Sequence, residues 1–227
     1  MRSGQSFDGF ATDYDRFASL EPAGLRDWLV TQLPARGRRV LDAGCGSGRH
    51  TRVLAERFDH VVGVDISAPL IAIARDRPGP NVRYIVGDLM TFSDAHGFDL
   101  VFSSTTLHHV PDLDAALLRL RDLVMTGGVA ILIDNVASRA TPPRWVHVLG
   151  AVRNVLPDVA RLGVRRAAWL LRFRTSAPWL EHLGSDRYLS RQEFERRYGL
   201  IFPGARFADL GYAHGLVWEK KNPAAMV

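Results

Sequence analysis

The sequence predicts an α/β domain with a parallel sheet covered on both faces by helices. Three observations predict it. Short apolar, β-branched runs alternate with helical-period segments between residues 38 and 135, the pattern of a sheet buried on both sides. The first run, Val40-Leu41-Asp42, ends in an acid and opens into Ala43-Gly44-Cys45-Gly46-Ser47-Gly48. The second, Val61-Val62-Gly63-Val64-Asp65, ends in another acid about twenty residues on.

The elements follow in order. Phe7, Phe10, Tyr14 and Phe17 recur at helical spacing. A second helix is expected from Glu21 to Leu33, begun by Pro22 and stopped by Pro34. Strands are expected at Arg39–Ala43, His60–Val64, Val82–Val86, Phe98–Ser103 and Val129–Asp134. Helices are expected between them at Arg49–Arg57, Ala68–Arg75 and Asp112–Val124, with Gly127-Gly128 as the C-cap of the last. Residues 138–190 break the alternation. Trp145, Val148, Leu149, Val152, Leu156 and Val159 mark one apolar helical face; Val164, Ala167, Ala168 and Leu171 mark another. Residues 191–227 return to the domain, with a helix over Gln192–Tyr198 and a hairpin of Arg206–Leu210 and Leu216–Lys220. The whole reads as one domain: N-terminal helices (1–37), a cofactor-binding core (38–135), a helical cap insertion (138–190) and a C-terminal helix and hairpin (191–227).

The glycine turn narrows the ligand. The dinucleotide pattern G-x-G-x-x-G places its third glycine five residues after the first. Here Gly44, Gly46 and Gly48 give G-x-G-x-G, and the fifth position is Arg49. A ligand with a ribose, an ammonium group and no pyrophosphate suits this arrangement. The stretch VLDAGCGSG resembles the first motif of the class I S-adenosylmethionine-dependent methyltransferases, and Leu107-His108-His109-Val110-Pro111-Asp112 resembles the LHHVPD signature of one branch of that family.

The resemblance implies a Rossmann-like, seven-stranded sheet, mostly parallel, whose last strand is antiparallel. It implies S-adenosyl-L-methionine as cofactor. Asp42 and Gly44 would hold the methionine moiety, and Gly46 would give backbone clearance. Asp65 would take the ribose hydroxyls, with Ile66 on the adenine. Asp88 would accept from the adenine amino group beside Leu89. Ser104 would line the sulfonium end, and Tyr14 would fold over the methionine end. His108 is the candidate catalytic base, since an imidazole near neutral pKa suits that role. Each acid has a plainer reading as a helix cap or turn residue.

Ile133-Asp134-Asn135 resembles two magnesium ligands of catechol-type O-methyltransferases. The third carboxylate, expected after the fourth strand, is replaced by Ser103, Ser104, Thr105 and Thr106, so no metal is expected.

Methyl transfer is a displacement at an already activated carbon, so alignment and desolvation matter most. The expected acceptor is a small, hydrophobic or aromatic molecule, methylated at O, N or C, as in secondary metabolism. It would lie under the cap, whose apolar face would set specificity. That face could instead serve a homodimer contact. Net charge is +5, with 27 arginines among 29 basic residues. This leaves an RNA acceptor as an alternative, disfavoured by the lack of an appended RNA-binding module or an Asn-Pro-Pro-Tyr type motif. A non-methylating scaffold that keeps the cleft is a third reading. The single cysteine, Cys45, excludes a disulfide framework and two-cysteine mechanisms, and fits the reducing cytoplasm. No apolar run is long enough for a membrane span, and no signal peptide is expected from the first residues.

Overall fold

Strand order fixes where a ligand can sit. In the computed structural model, which describes residues 7–20, 22, 24–137 and 143–222, seven strands form one sheet. They are β1 (Gly37–Ala43), β2 (Phe58–Asp65), β3 (Val82–Val86), β4 (Phe98–Ser104), β5 (Val124–Asn135), β6 (Arg206–Asp209) and β7 (Ala213–Glu219). Their order is β3-β2-β1-β4-β5-β7-β6. The first five are parallel; β7 runs antiparallel to β5 and to β6. The order reverses between β1 and β4, and an open α/β sheet binds its ligand at that point, beyond the carboxyl ends of the strands.

The helices are α1 (Ala11–Leu20), α2 (Gly24–Gln32), α3 (Arg49–Ala55), α4 (Ala68–Arg75), α5 (Leu113–Leu123), α6 (Arg144–Arg153), α7 (Val155–Leu162), α8 (Val164–Arg174), α9 (Ala177–Ser185) and α10 (Arg191–Ile201). Strand side chains alternate between two cores. Val101, Ala130 and Leu132 join Leu117 and Leu120 of α5 and Phe194 and Tyr198 of α10. Leu100, Phe102, Ile131 and Ile133 join Leu29 of α2 and Leu54 of α3 on the other face. Ser67 caps α4 and Asp112 caps α5, each side chain accepting an amide three residues on.

Two sequence expectations change. Gly127 and Gly128 do not cap a helix; α5 stops at Leu123 and the chain enters β5 at once. A Cβ on Gly128 would lie 2.9 Å from the carbonyl oxygens of Asp99 and Met125, so this close strand approach admits only glycine. The hairpin turn is also shorter than expected, because β7 begins at Ala213. Glu21 and residues 138–142 lie outside the described residues.

The cap is helical, as expected, but it shares its core with the N-terminus. Trp169, Leu170 and Phe173 of α8 pack with Phe10, Phe17, Leu20 and Trp179. Arg16 lies 4.1 Å from the Trp169 ring centre. Asp158 in α7 is buried and paired with Arg161 at 3.2 Å and Arg174 at 2.6 Å, tying α7 to α8.

Candidate active site

A cavity of about 430 Å³ runs along the carboxyl edge of the sheet. Its wall takes Asp88 and Leu89 after β3, Asp65 and Ile66 at the end of β2, Gly44 and Gly46 after β1, Ser104 at the end of β4, and Asn135 at the end of β5. Tyr14 and Phe17 of α1 and Trp179, His182 and Leu183 of α9 close it from above. The order along the edge gives two halves, one under β3, β2 and β1 and the other under β4 and β5.

The glycine turn is built for close approach. Gly44 has φ +78° and Gly46 φ +52°, left-handed values that disfavour side chains. A Cβ on Gly44 would lie 2.2 Å from the Thr106 side chain. On Gly46 it would meet nothing nearer than Leu70 at 4.0 Å, so the backbone there faces open cavity. The Gly46 amide donates to Asp65 Oδ2 at 2.8 Å, and the Ser67 amide to Oδ1 at 2.9 Å. These bonds oppose the effect of burial, which raises the Asp65 carboxyl above its ordinary value. Asp88 accepts from the Met90 amide at 2.8 Å while lining the cavity. The Ser104 hydroxyl is buried on the wall with no hydrogen-bond partner among the described residues, an orphan that a ligand would satisfy.

Asp42 requires a correction. It is 1% exposed and absent from the cavity wall. It accepts from Thr51 Oγ1 at 2.6 Å, bracing α3 behind the glycine turn. Burial pushes its carboxyl up to about 7. A direct contact with a ligand ammonium group does not follow from this position. Arg49 and Arg26, which the sequence reading missed, do line the cavity.

In the other half, His108 is 6% exposed and lines the wall in a short 3₁₀ turn after β4. Its Nδ1 lies 2.5 Å from Asp134 Oδ1, at the end of β5. Burial pulls His108 down, but the Asp134 charge and bond outweigh it and hold the imidazole above its ordinary value. Thr105, two residues before the turn, has φ +51°, the one left-handed non-glycine value among the described residues. Such strain is costly and clusters at functional sites.

Next to it, His109 Nδ1 lies 3.2 Å from Asp186 Oδ1, and Tyr188 donates a short bond to Asp186 Oδ2. Burial lowers His109, and pushes His182 down to about 4, so both imidazoles are neutral near pH 7. His108, His109 and Asp186 each offer a donor atom within 4.8 Å of the others. Asp186 and Tyr188 lie over seventy residues from His108 in sequence, and no motif marked them; Trp179 stood out only as an aromatic residue near the apolar face of the cap.

The expected lid residues also move. Trp145 and Leu149 are 66% and 49% exposed and do not line the cavity. The roof comes instead from α9 and the segment after it.

Residues 40–128 match the family described as "Methyltransferase domain". The trans-aconitate 2-methyltransferase of Deinococcus radiodurans is 38% identical over 196 residues, 85% of this chain and 74% of that protein. The chain belongs to the S-adenosylmethionine-dependent methyltransferases. An uncharacterized methyltransferase of Mycobacterium tuberculosis, Rv0089, is 36% identical over 119 residues, 52% of this chain and 60% of that protein. The chain thus spans less than two thirds of that relative's length. Among solved structures, DhpI in complex with SAH superposes with a TM-score of 0.63 at 21% identity, covering 96% of this chain and 94% of that one. It has the same fold. S-adenosylmethionine is the cofactor of this family, and the unpartnered Ser104 hydroxyl and open Gly46 backbone fit that ligand.

Proposed function

We propose that this methyltransferase transfers a methyl group to a small, hydrophobic or aromatic molecule held under α9, with His108 as the proton acceptor. The observation that carries the reading is the His108–Asp134 pair on the same cavity wall as Gly44, Gly46 and Asp65. In this reading the cofactor, when bound, supplies an electrophilic methyl group on a sulfonium.

The chain's own residues do the rest. Asp65 takes the ribose hydroxyls, Asp88 and Leu89 the adenine with Ile66 packed on it, and Tyr14 covers the methionine end. Gly44 and Gly46 admit the methionine chain, and Arg49 offers a cation to its carboxylate. Ser104 meets the ligand at the junction of the halves. Asp134 holds the Nδ1–H of His108, which leaves Nε2 to take the acceptor's proton. Phe7, Trp179 and Leu183 give the acceptor an apolar wall and exclude water.

Two expected outcomes test the arrangement. Trp179→Ala should raise the acceptor KM several-fold and leave cofactor Kd nearly unchanged, whereas Trp145→Ala should change neither. Equal loss of both affinities in Trp179→Ala would make that residue a packing group only. Magnesium should not be required, because Asp134 is engaged by His108 and by the Asn135 amide at 3.0 Å. Turnover abolished by EDTA and restored by magnesium would move Asp134 and Asn135 into a metal site. Restoration by zinc or iron instead would place an ion on His108, His109 and Asp186.

A further inference from the structure

The cap presents an apolar stripe to solvent. Trp145, Leu149, Val152 and Leu156 are 66%, 49%, 53% and 79% exposed. Their spacing of four, three and four aligns them on one face. Asn154, with φ −82° and ψ −2°, carries the chain from α6 into α7 without a reversal. Val164, at the start of α8, is 69% exposed as well. Large apolar side chains grouped this way mark an interaction surface.

The charge of the segment that carries the stripe is mainly positive, although Arg144 pairs with the exposed Glu181 of α9 at 3.8 Å. From Arg144 to Arg174 the chain has seven arginines and one aspartate, a net +6, against +5 for the whole protein. The one acid, Asp158, is buried in its pairs with Arg161 and Arg174. Arg153, Arg165 and Arg166 are exposed and form no ion pair among the described residues. At helical spacing, Arg144 and Arg153 fall about a quarter turn to either side of the stripe. Arginine stems can lie along apolar surface there while their guanidinium groups reach outward.

We propose that the α6–α7 face docks this methyltransferase on an anionic phospholipid surface. A Trp-ended apolar stripe bordered by arginines suits a helix lying in the plane of a bilayer interface. Lipid phosphates take the arginines while the acyl boundary takes Leu149, Val152 and Leu156. RNA would use the arginines but leave the stripe in water, and one Trp ring is no stacking platform. A second copy set face to face would oppose its own arginines. The contact is peripheral: no helix among the described residues is long and apolar enough to cross a membrane. It also sits outside the acceptor roof, since none of Trp145, Leu149, Val152 and Leu156 lines the cavity. The docking does not depend on the acceptor's identity.

Co-sedimentation of the full chain with phosphatidylglycerol–phosphatidylcholine vesicles, and with phosphatidylcholine vesicles alone, tests this. Binding should require the anionic lipid and fall as salt rises. Leu149→Asp/Val152→Asp should lose most of the bound fraction, with circular dichroism and cofactor Kd unchanged. Arg153→Glu/Arg165→Glu/Arg166→Glu should lose it several-fold. Absence of binding to anionic vesicles, or binding equal in Leu149→Asp/Val152→Asp, overturns the proposal. So does a concentration-dependent dimer that Leu149→Asp dissociates, or RNA retention in place of vesicle binding.

Discussion

His108→Ala is expected to lower kcat by about 100- to 10,000-fold, the range for loss of a positioned base. Cofactor Kd should hold, because His108 lies beyond β4 and β5 while the proposed ribose site, at Asp65, lies beyond β2. The pH profile carries the sharper signature. Asp134 holds the imidazole above its ordinary value, so His108 stays protonated, and unable to accept a proton, to a higher pH. The kcat/KM of the wild type should therefore rise with pH through a pKa above 6.5. Asp134→Asn removes the charge that raises it, and should move that limb to lower pH while lowering kcat. A profile unchanged in both variants would leave His108 as a scaffold residue. An acceptor that enters already deprotonated would show the same flatness, so an acidic and a less acidic acceptor should be compared.

Asp65→Ala should weaken S-adenosylmethionine binding by about 1.5–3 kcal/mol for each charge-assisted hydrogen bond lost, about ten- to a hundred-fold in Kd. The carboxylate also receives the Gly46 and Ser67 amides, so the variant frees the glycine turn as well as the ribose. Asp65→Asn separates the two effects. It keeps an acceptor oxygen for one amide and loses the charge, and should fall between wild type and Asp65→Ala. Calorimetry showing undiminished affinity in Asp65→Ala would remove this residue from the ribose site.

The core of the domain was legible because its signals are local. The β-branched run of β2, the helical period of α4 over Ala68–Arg75, and the glycine turn each lie within a few consecutive residues. Asp112 announces its helix by capping it. Gly127-Gly128 misled for a physical reason: a glycine pair after a helix and a glycine pair at a crowded strand entry look alike in sequence, and only the 2.9 Å approach of Asp99 and Met125 separates them. Asp42 misled because burial is set by the neighbouring strands, not by distance from a glycine. The acceptor half was scarcely legible. Asp134 was visible only as a metal-type residue, because its partner, His108, arrives from another strand through the pairing of β4 with β5. Trp179, Asp186 and Tyr188 reach the wall through cap packing, which leaves no fixed spacing. The periodicity of residues 145–156 correctly marked an apolar face, but periodicity does not say whether such a face turns inward.

The most direct test mixes the purified protein with S-adenosylmethionine and a panel of small aromatic and hydrophobic hydroxyl and amino compounds, with bulk RNA in parallel, and follows products by mass spectrometry. A methylated small molecule should form in step with S-adenosylhomocysteine, greatly slowed in His108→Ala with cofactor affinity intact. Methyl groups found only in the RNA, or tight cofactor binding with no methylated product from any acceptor, would contradict the proposed function.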